Sequence, residues 1–421
     1  MAKLYNLARM TVTTSGTGSP VTLGTAVQQF LTFAQAGVAD GDTVLYSILD
    51  GANGGEVGWG VYTASGTTLT RNVIKSTNSN AAISLSGAAQ VAISPLAADG
   101  GDLLVSTLNP MRGFDAPINL KIAAAVASNI LTVTLSGNNG SAFSQTNPLL
   151  VPFRNSTAAN GDPVWASATS ALTIATVVGG TFGAANSAPF RLWIVLFNNA
   201  GTIVPALINC WKPNTNIFPL DETQPQTTVA MTSGSTSAGV FYTPAGTTLT
   251  TKSFRIVGFL EYSAGLATAG TFGIVPTNLT LFGPGVKKPG DVVQRAYGAS
   301  GTQTSTTSST ATSTNVTANI TPTSTCNVVE YEADGALESN ANAQAGLGQM
   351  FRGSTGIGSS MESYYDGTGH VLIAGNGLAG IDAPNSISAQ TYTVKIKNTD
   401  NATTIVYPGN TGGMRLKELM V

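Results

Sequence analysis

Apolar residues in this chain recur in short runs, often at every second position, and clusters of Gly, Asn, Asp, Pro or Ser separate the runs. Such alternation puts successive side chains on opposite faces of a strand, so the pattern predicts β-structure throughout. LARMTVTT (7–14) opens the series. DTVLYSILD (42–50) and EVGWGVYTA (56–64), joined by a Gly/Asn/Asp-rich turn, read as a hairpin, and GTTLTRNVI (66–74) and AAISLSGAAQVAIS (81–94) continue the meander. One segment departs from the period. In TAVQQFLTFAQAG (25–37), Val27, Phe30, Leu31 and Ala34 fall at helical spacing before Gly37, which predicts one short helix.

A second block supplies LTVTLSG (131–137), PLLVPF (148–153), ALTIATVV (171–178), RLWIVLFNN (191–199), VGFLEYS (257–263) and LTLFG (279–283). Strands at this spacing, with no helical period between them, suggest a sandwich, and the almost wholly apolar RLWIVLF predicts a central strand buried on both faces. The pattern then stops at FGPGVKKPGDVVQ (282–294), where Gly283, Pro284, Gly285, Pro289 and Gly290 exclude regular structure. We read this stretch as a domain boundary and Lys287 and Lys288 within it as solvated. Beyond it, the Ser/Thr-rich tract 298–315 reads as a flexible linker or an edge strand with a polar outer face. VTANITPTS, CNVVEYEAD, QMFRGS, HVLIAGN, TYTVKIKN, TTIVYPG and RLKELMV then supply a third set of strands, the last tying down residue 421. The boundaries expected are an N-terminal module at 1–105, a middle sandwich at 106–285, a connector at 286–297 and a C-terminal module at 298–421. TASGTTLT (63–70) and TPAGTTLT (243–250) echo each other without a fixed period, so no repeat architecture follows.

Composition sharpens this picture. Only 10% of the 421 residues are charged, against roughly 25% in ordinary soluble domains. Hydroxyls and amides must therefore carry the surface. A net charge of −2 without a basic block argues against nucleic acid as a partner. No apolar run is long enough for a signal peptide or a membrane span, so synthesis in a cytoplasm without membrane insertion is expected. Cys210 and Cys326 have no metal spacing and read as reduced, buried thiols.

Candidate chemistry is sparse. Gly375-x-Gly377-x-x-Gly380, with Asp400 beyond, imitates a dinucleotide fingerprint, but Pro384 and the lack of an apolar stripe deny it the helix that it needs. His370 is the one histidine, so a His-rich metal site is impossible and a serine relay has a single candidate base, with no nucleophile elbow to serve. Glu330, Glu332 and Asp334 alternate with Val329, Tyr331 and Ala333. That places three carboxylates on one strand face, usable for Ca²⁺ or glycoside cleavage, or simply as a charged outer face. Asp40/Asp42 and Asp221/Glu222 fall in turns. For sugar stacking the candidates are Trp59, Trp165, Trp193, Trp211 and the pair Tyr364-Tyr365. Trp193 lies inside the apolar strand and reads as core. Tyr364 and Tyr365, read as lying within a Gly/Ser loop, are the receptor-contact candidates. No catalytic, cofactor-binding or metal-ligating residue is expected.

Three stretches carry a family resemblance. LARMTVTTSGTGSPVTLG, with FAQAGVADGDTVLYSILDGANGGEVGWGVYTASGTTLTR, resembles the N-terminal module of many tailed-phage virion proteins. INLKIAAAVASNILTVTLSG, NPLLVPFR, FRLWIVLFNNAGTIVPALINC and LEYSAGLATAGTFGIVPTNLTLFGPGVKKPGDVVQ are similar to a middle module of phage fibres and appendages. ITPTSTCNVVEYEA, MFRGSTGIGSS, APNSISAQTYTVKIKN and MRLKELMV resemble the trimeric all-β domains that end such fibres. The resemblance implies an all-β protein of β-sandwich or jelly-roll-like modules in series, assembled as a homotrimer in the host cytoplasm and located in the virion. Its implied role is a tail fibre or fibre-like appendage for host attachment, with a head fibre or capsid decoration, or a polysaccharide-cleaving tailspike, as alternatives. The implied partners are other phage tail or head proteins and a host-surface glycan or protein.

Overall fold

A computed structural model of the chain describes residues 3–51, 53–94, 116–154, 163–212, 216–300, 302–339, 344–365, 371–373, 377–399, 405–407 and 412–421. The protein is all-β, and no helix occurs among the described residues. It folds as two compact units, one spanning 1–115 with 144–147, the other 116–143 with 148–421.

In the first unit a seven-stranded sheet runs in the order Thr43–Asp50, Ala89–Ile93, Arg9–Val12, Val21–Ala26, Thr68–Leu69, Gly54–Thr63, Asn72–Ser76. Thr43–Asp50 also pairs with Gly54–Thr63, as the predicted hairpin requires, so the sheet closes on itself. Inside lie Met10, Val12, Val21, Phe33, Val44, Tyr46, Ile48, Leu69 and Val91. The alternation of GEVGWGVY turns Glu56, Gly58, Gly60 and Tyr62 inward. A Cβ at Gly58 would meet Tyr46 Oη at 2.7 Å, so glycine here makes room for the buried phenol.

The helix expected at 25–37 is absent. Val27 N–H donates to Arg9 O and Leu31 N–H to Leu7 O, while Arg9 N–H donates to Leu31 O, so residues 27–31 lie against the first strand. One turn remains. Ala36 N–H reaches Thr32 O, Thr32 and Gln35 cap one another, and Gly37 at φ +97° ends it. The helical spacing was not a core face: Phe33, outside that spacing, is fully buried, while Leu31 is 38% exposed.

Asp42 ties this unit together beyond the sheet. Lys3 Nζ donates to it at 2.5 Å, Tyr5 Oη donates to it as well, and Ala39 N–H does so at 3.0 Å. The Lys3 hydrogen bond first, then those from Tyr5 and Ala39, hold the carboxyl down to about 2 from 3.8. A carboxyl depressed on folding stabilises above its unfolded pKa, and that contribution is lost as pH falls through the folded value. Acid unfolding of Asp42→Asn should accordingly vary less with pH between 3.8 and about 2 than that of the parent chain, as followed by circular dichroism. Equal slopes would show the site to be inert.

The second unit is built on a six-stranded sheet ordered Thr228–Ala230, Phe241–Thr243, Thr202–Ile208, Phe190–Asn199, Phe254–Tyr262, Asn278–Leu281. Its Phe190–Asn199 strand is buried on both faces, as its composition predicts. Leu192, Ile194 and Leu196 share a core with Leu131, Val133, Leu149, Val151 and Phe153 of the smaller sheets. Trp193, Val195 and Phe197 share another with Phe241, Phe254, Ile256 and Met420.

From Val292 onward this unit includes eight strands that form two four-stranded sheets. In chain order they are Val292–Ser300, Thr312–Ile320, Val328–Asp334, Gln344–Arg352, Thr355–Tyr365, Leu378–Asp382, Gln390–Asn398 and Gly412–Leu419. One sheet runs first, eighth, third, sixth; the other runs second, seventh, fourth, fifth. Val329, Tyr331, Ala333, Met414 and Leu416 of one sheet pack with Val316, Ala318, Met350, Val394 and Ile396 of the other. The Ser/Thr tract therefore contains an edge strand, Thr312–Ile320, with alternating burial, rather than a linker alone. Thr304–Thr306, Leu337–Ser339, Val371–Ile373 and Ile405–Tyr407 lie in the crossings between the two sheets and pair into a further four-stranded sheet. The sheets approach closely at Gly298, where a Cβ would fall 1.8 Å from Thr317 O. Gly298→Ala should cost about 1–3 kcal/mol through overpacking, read as a lowered unfolding midpoint. An unchanged midpoint would contradict that closeness.

FGPGVKKPGDVVQ forms no strand until Val292, which begins the first of the eight. It is nonetheless packed: Phe282, Val286 and Val293 sit against the core of Trp193 and Met420. Gly290 N–H donates to Met420 O at 2.8 Å and Met420 N–H to Asp291 O at 3.0 Å. A buried polar seam reinforces the join. Arg191 donates to Glu261 at 2.8 Å, to Asn327 at 3.2 Å and to Val421 O at 2.5 Å. Ser324 Oγ donates to Glu261 at 2.9 Å, and the Arg191 guanidinium lies 4.7 Å from the Phe259 ring centre.

Candidate functional site

A cleft of about 400 Å³ opens in the second unit between the 183–211 region and the 357–385 region. Each wall follows from local sequence. Asn209 ends the buried run of the Thr202–Ile208 strand, and its side chain, 3% exposed as a residue, clamps two loops: Nδ2 donates to Phe182 O at 3.0 Å, and Oδ1 accepts from Trp211 N–H at 3.1 Å. Trp211, half-buried, then begins a two-stranded ladder with Asn216–Ile217. Gly183, Ala184, Ala185 and Ala188 present little more than backbone to the opening.

Across the cleft, Ile381 and Asp382 end the sixth of the eight strands, an edge strand. Tyr392 Oη donates to Asp382 Oδ2 at 2.7 Å, and Arg352 Nη1 lies 3.2 Å from that oxygen and donates to Ala383 O at 3.3 Å. Burial, then the hydrogen bond to Asp382, pushes the Tyr392 phenol far above its ordinary value, so it is a fixed donor at neutral pH. Tyr331 stands behind: a Cβ on Gly358 or Gly380 would meet its Oη at 1.9 or 2.4 Å. The lining combines two aromatic rings, Phe190 and Trp211, one charge-compensated carboxylate and several small residues. It is suited to binding.

Of the tryptophan candidates, Trp211 alone lines this cleft. Trp193 is fully buried, 5.1 Å from Phe259, and Trp59 and Trp165 are half-buried on strands elsewhere. Tyr364 and Tyr365 do not sit in a loop: they end the Thr355–Tyr365 strand, paired through the backbone with Ala345 and Gln344, and their side chains lie outside the described residues. His370, Gly375 and Asp400 lie outside them too. Leu378–Asp382 follows Gly377 as a strand, where a dinucleotide site requires a helix.

The Glu330, Glu332 and Asp334 face is a cross-strand ion ladder. Lys417 meets Glu330 at 2.8 Å, and Arg415 meets Asp334 at 2.7 Å and Glu332 at 3.7 Å. Among the described residues no cluster of His, Cys, Asp and Glu is arranged to hold a metal. Glu222 accepts from Ile256 N–H at 2.7 Å and lies 3.4 Å from both Arg255 and Lys288. Cys210 and Cys326 are free and buried, and burial pushes both thiols up, Cys326 to about 12. Sequence reasoning missed Asn209 and Asp382, which look like an ordinary strand end and turn until the fold brings them to one cleft.

No protein-family model matches the chain, and no curated protein does. Among solved structures, one of the infectious bursal disease virus Gx strain aligns over 100% of this chain and 78% of that one, at 9% identity. Its TM-score is 0.17, too low to carry an argument about fold or role.

Proposed function

We propose that this chain is a structural virion protein of a tailed bacteriophage, a homotrimeric tail fibre or fibre-like appendage that attaches the particle to the host surface. One observation carries the reading. In the eight strands of the two facing sheets that begin at Val292, the first lies beside the last in one sheet and the second beside the seventh in the other. That order is what a jelly roll of two interleaved Greek keys produces, an architecture frequent in viral shells and lectins. The sequence resemblance to phage appendage modules adds to it, as does a surface with few charges, which sister copies would cover. Ion pairing of the Glu330/Glu332/Asp334 face favours a binding role over a cleaving one, since a general acid and a nucleophile need carboxylates free to meet the glycoside. A head fibre or capsid decoration shares every one of these features and is separated by location alone.

The test has two parts. Light scattering should give a mass about three times the 42.8 kDa chain. Electron micrographs of purified particles, labelled with antibody to residues 298–421, should show label on an appendage, at the tail or at the head. A lone 42.8 kDa subunit that is absent from particles would overturn the reading. Release of reducing sugar from host polysaccharide, abolished by Glu332→Gln, would replace it with the tailspike.

A further inference from the structure

We infer that the Trp211–Asp382 cleft is a binding site for a neutral saccharide, taking a hexose unit of a longer glycan. The inference deepens the attachment reading above and rests on it. Its volume, about 400 Å³, falls within the range of roughly 300–1,000 Å³ usual for small-ligand sites. Its chemistry is divided as a pyranose ring is divided. A sugar has a C–H face, faintly positive, which seats against the negative face of an indole, and a rim of hydroxyls that need acceptors held at fixed positions. Trp211 supplies the first and Asp382 the second.

Asp382 is built for that task. Its side chain is 9% exposed, and the contacts from Tyr392 and Arg352 both land on Oδ2, so among the described residues Oδ1 is the oxygen left to accept ligand hydroxyls. Arg352 is engaged by Asp382 and by Ala383 O, which sets a positive charge against the carboxylate. Among the described residues no other titratable side chain lines the cleft. A sialylated or phosphorylated sugar would therefore bring a second negative charge beside Asp382 with no free cation to receive it. Asn209 is a positioning residue. Both ends of its amide are occupied, one by the backbone N–H of Trp211, so it fixes the main chain from which the indole projects. Ala184, Ala185 and Ala188 leave the entrance unobstructed. A peptide adding a strand to the Leu378–Asp382 edge is the competing occupant. That edge is only 5 residues long and runs straight into Pro384, so it offers a peptide few ladder bonds.

The full chain is titrated with neutral trisaccharides of glucose, of galactose and of mannose, with 3′-sialyllactose as the acidic arm and an alternating Thr-Val heptapeptide as the strand arm. Binding is read by saturation-transfer NMR and by tryptophan fluorescence. At least one neutral trisaccharide should bind saturably. Trp211→Ala and Asp382→Asn should each weaken it by about tenfold or more, as loss of a central aromatic or buried polar anchor does. Trp211→Tyr, which keeps an aromatic face, should retain most of the affinity, and its unfolding midpoint controls for folding. Three outcomes overturn the inference: no neutral trisaccharide binds, the affinity is unchanged in Trp211→Ala, or the sialylated or peptide probe alone binds. Mass spectrometry of purified particles is scored separately. The chain present in particles without saccharide binding defeats this inference alone, whereas saccharide binding by a chain absent from particles defeats the virion reading.

Discussion

Replacing Arg71 with methionine should destabilise the first unit by about 3–5 kcal/mol, because the change strands a buried carboxylate. Arg71 Nε and Nη2 meet Glu56 Oε1 and Oε2, each at 2.5 Å, with side-chain exposures of 1% and 0%. Tyr46 Oη donates to Glu56 at 3.2 Å and Ile83 N–H does so at 3.0 Å, while Arg71 Nη2 also donates to Ile83 O at 2.6 Å. Every oxygen of the carboxylate is thus used, and none faces water. With the guanidinium gone, Glu56 must either remain charged without its partner or take up a proton. The second route makes the variant regain stability as pH falls. Denaturant unfolding of Arg71→Met at neutral and mildly acidic pH checks both halves. Adding Glu56→Gln to Arg71→Met should recover a good part of the loss, since removing both charges is far cheaper than removing one. A loss under about 1 kcal/mol, the size expected of an exposed pair, would show that this pair is solvated after all.

The second large effect is expected at Arg191. Arg191→Met should cost about 3–5 kcal/mol and loosen the join between the six-stranded sheet and the eight-stranded portion. Arg191 bonds at once to Glu261 of its own sheet, to Asn327 in a connecting segment and to Val421 O. Asn327 passes the connection on to Glu418, which is fully buried: Asn327 Nδ2 donates to it at 2.6 Å, and Thr323 donates through N–H and Oγ1 at 2.7 Å each. Hydrogen exchange should therefore quicken at 323–327 and at 420–421 in the variant, with the Arg9–Val12 strand of the other unit unaffected. Arg191→Lys should recover only part, because an ammonium cannot span Glu261, Asn327 and Val421 as a planar fork does. Uniform exchange across the chain, or full rescue by lysine, would remove the seam from the account.

How far the residues alone led varies with the kind of question. The burial of 190–199 on both faces was legible, since six successive apolar residues, 192–197, have no other home in a sheet. So was the alternation at 328–334, where Tyr331 and Ala333 are buried and Glu332 is exposed. The helix at 25–37 was not. Val27, Phe30 and Leu31 satisfy a helical period by coincidence, and hydrogen bonds to Leu7 and Arg9, distant in sequence, take the backbone elsewhere. Tertiary pairing overrode a local preference worth only tenths of a kcal/mol per residue. The stretch at 282–294 shows the same contrast. Its prolines and glycines do forbid a strand before Val292, yet nothing in them announces that Phe282 and Val286 pack against Trp193 and Met420.

At the candidate site the division is sharper still. Trp211 was visible as a stacking candidate, but once Trp193 was set aside as core nothing in the sequence ranked it above Trp59 and Trp165. Asp382 and Asn209 carried no signal, because their meaning lies in what stands across from them.

The sequence by itself determined that this protein is made of strands and which faces of those strands are apolar. Those properties depend on residues one and two positions apart, where alternation and turn chemistry act directly. Tertiary structure alone decided that the two sides of the glycine–proline stretch form one unit, that Glu56 finds Arg71 and Glu261 finds Arg191, and that Trp211 and Asp382 line one cleft. Each of these depends on the register of strands far apart in the chain, set by the burial of whole sheets against one another and not by any residue's neighbours.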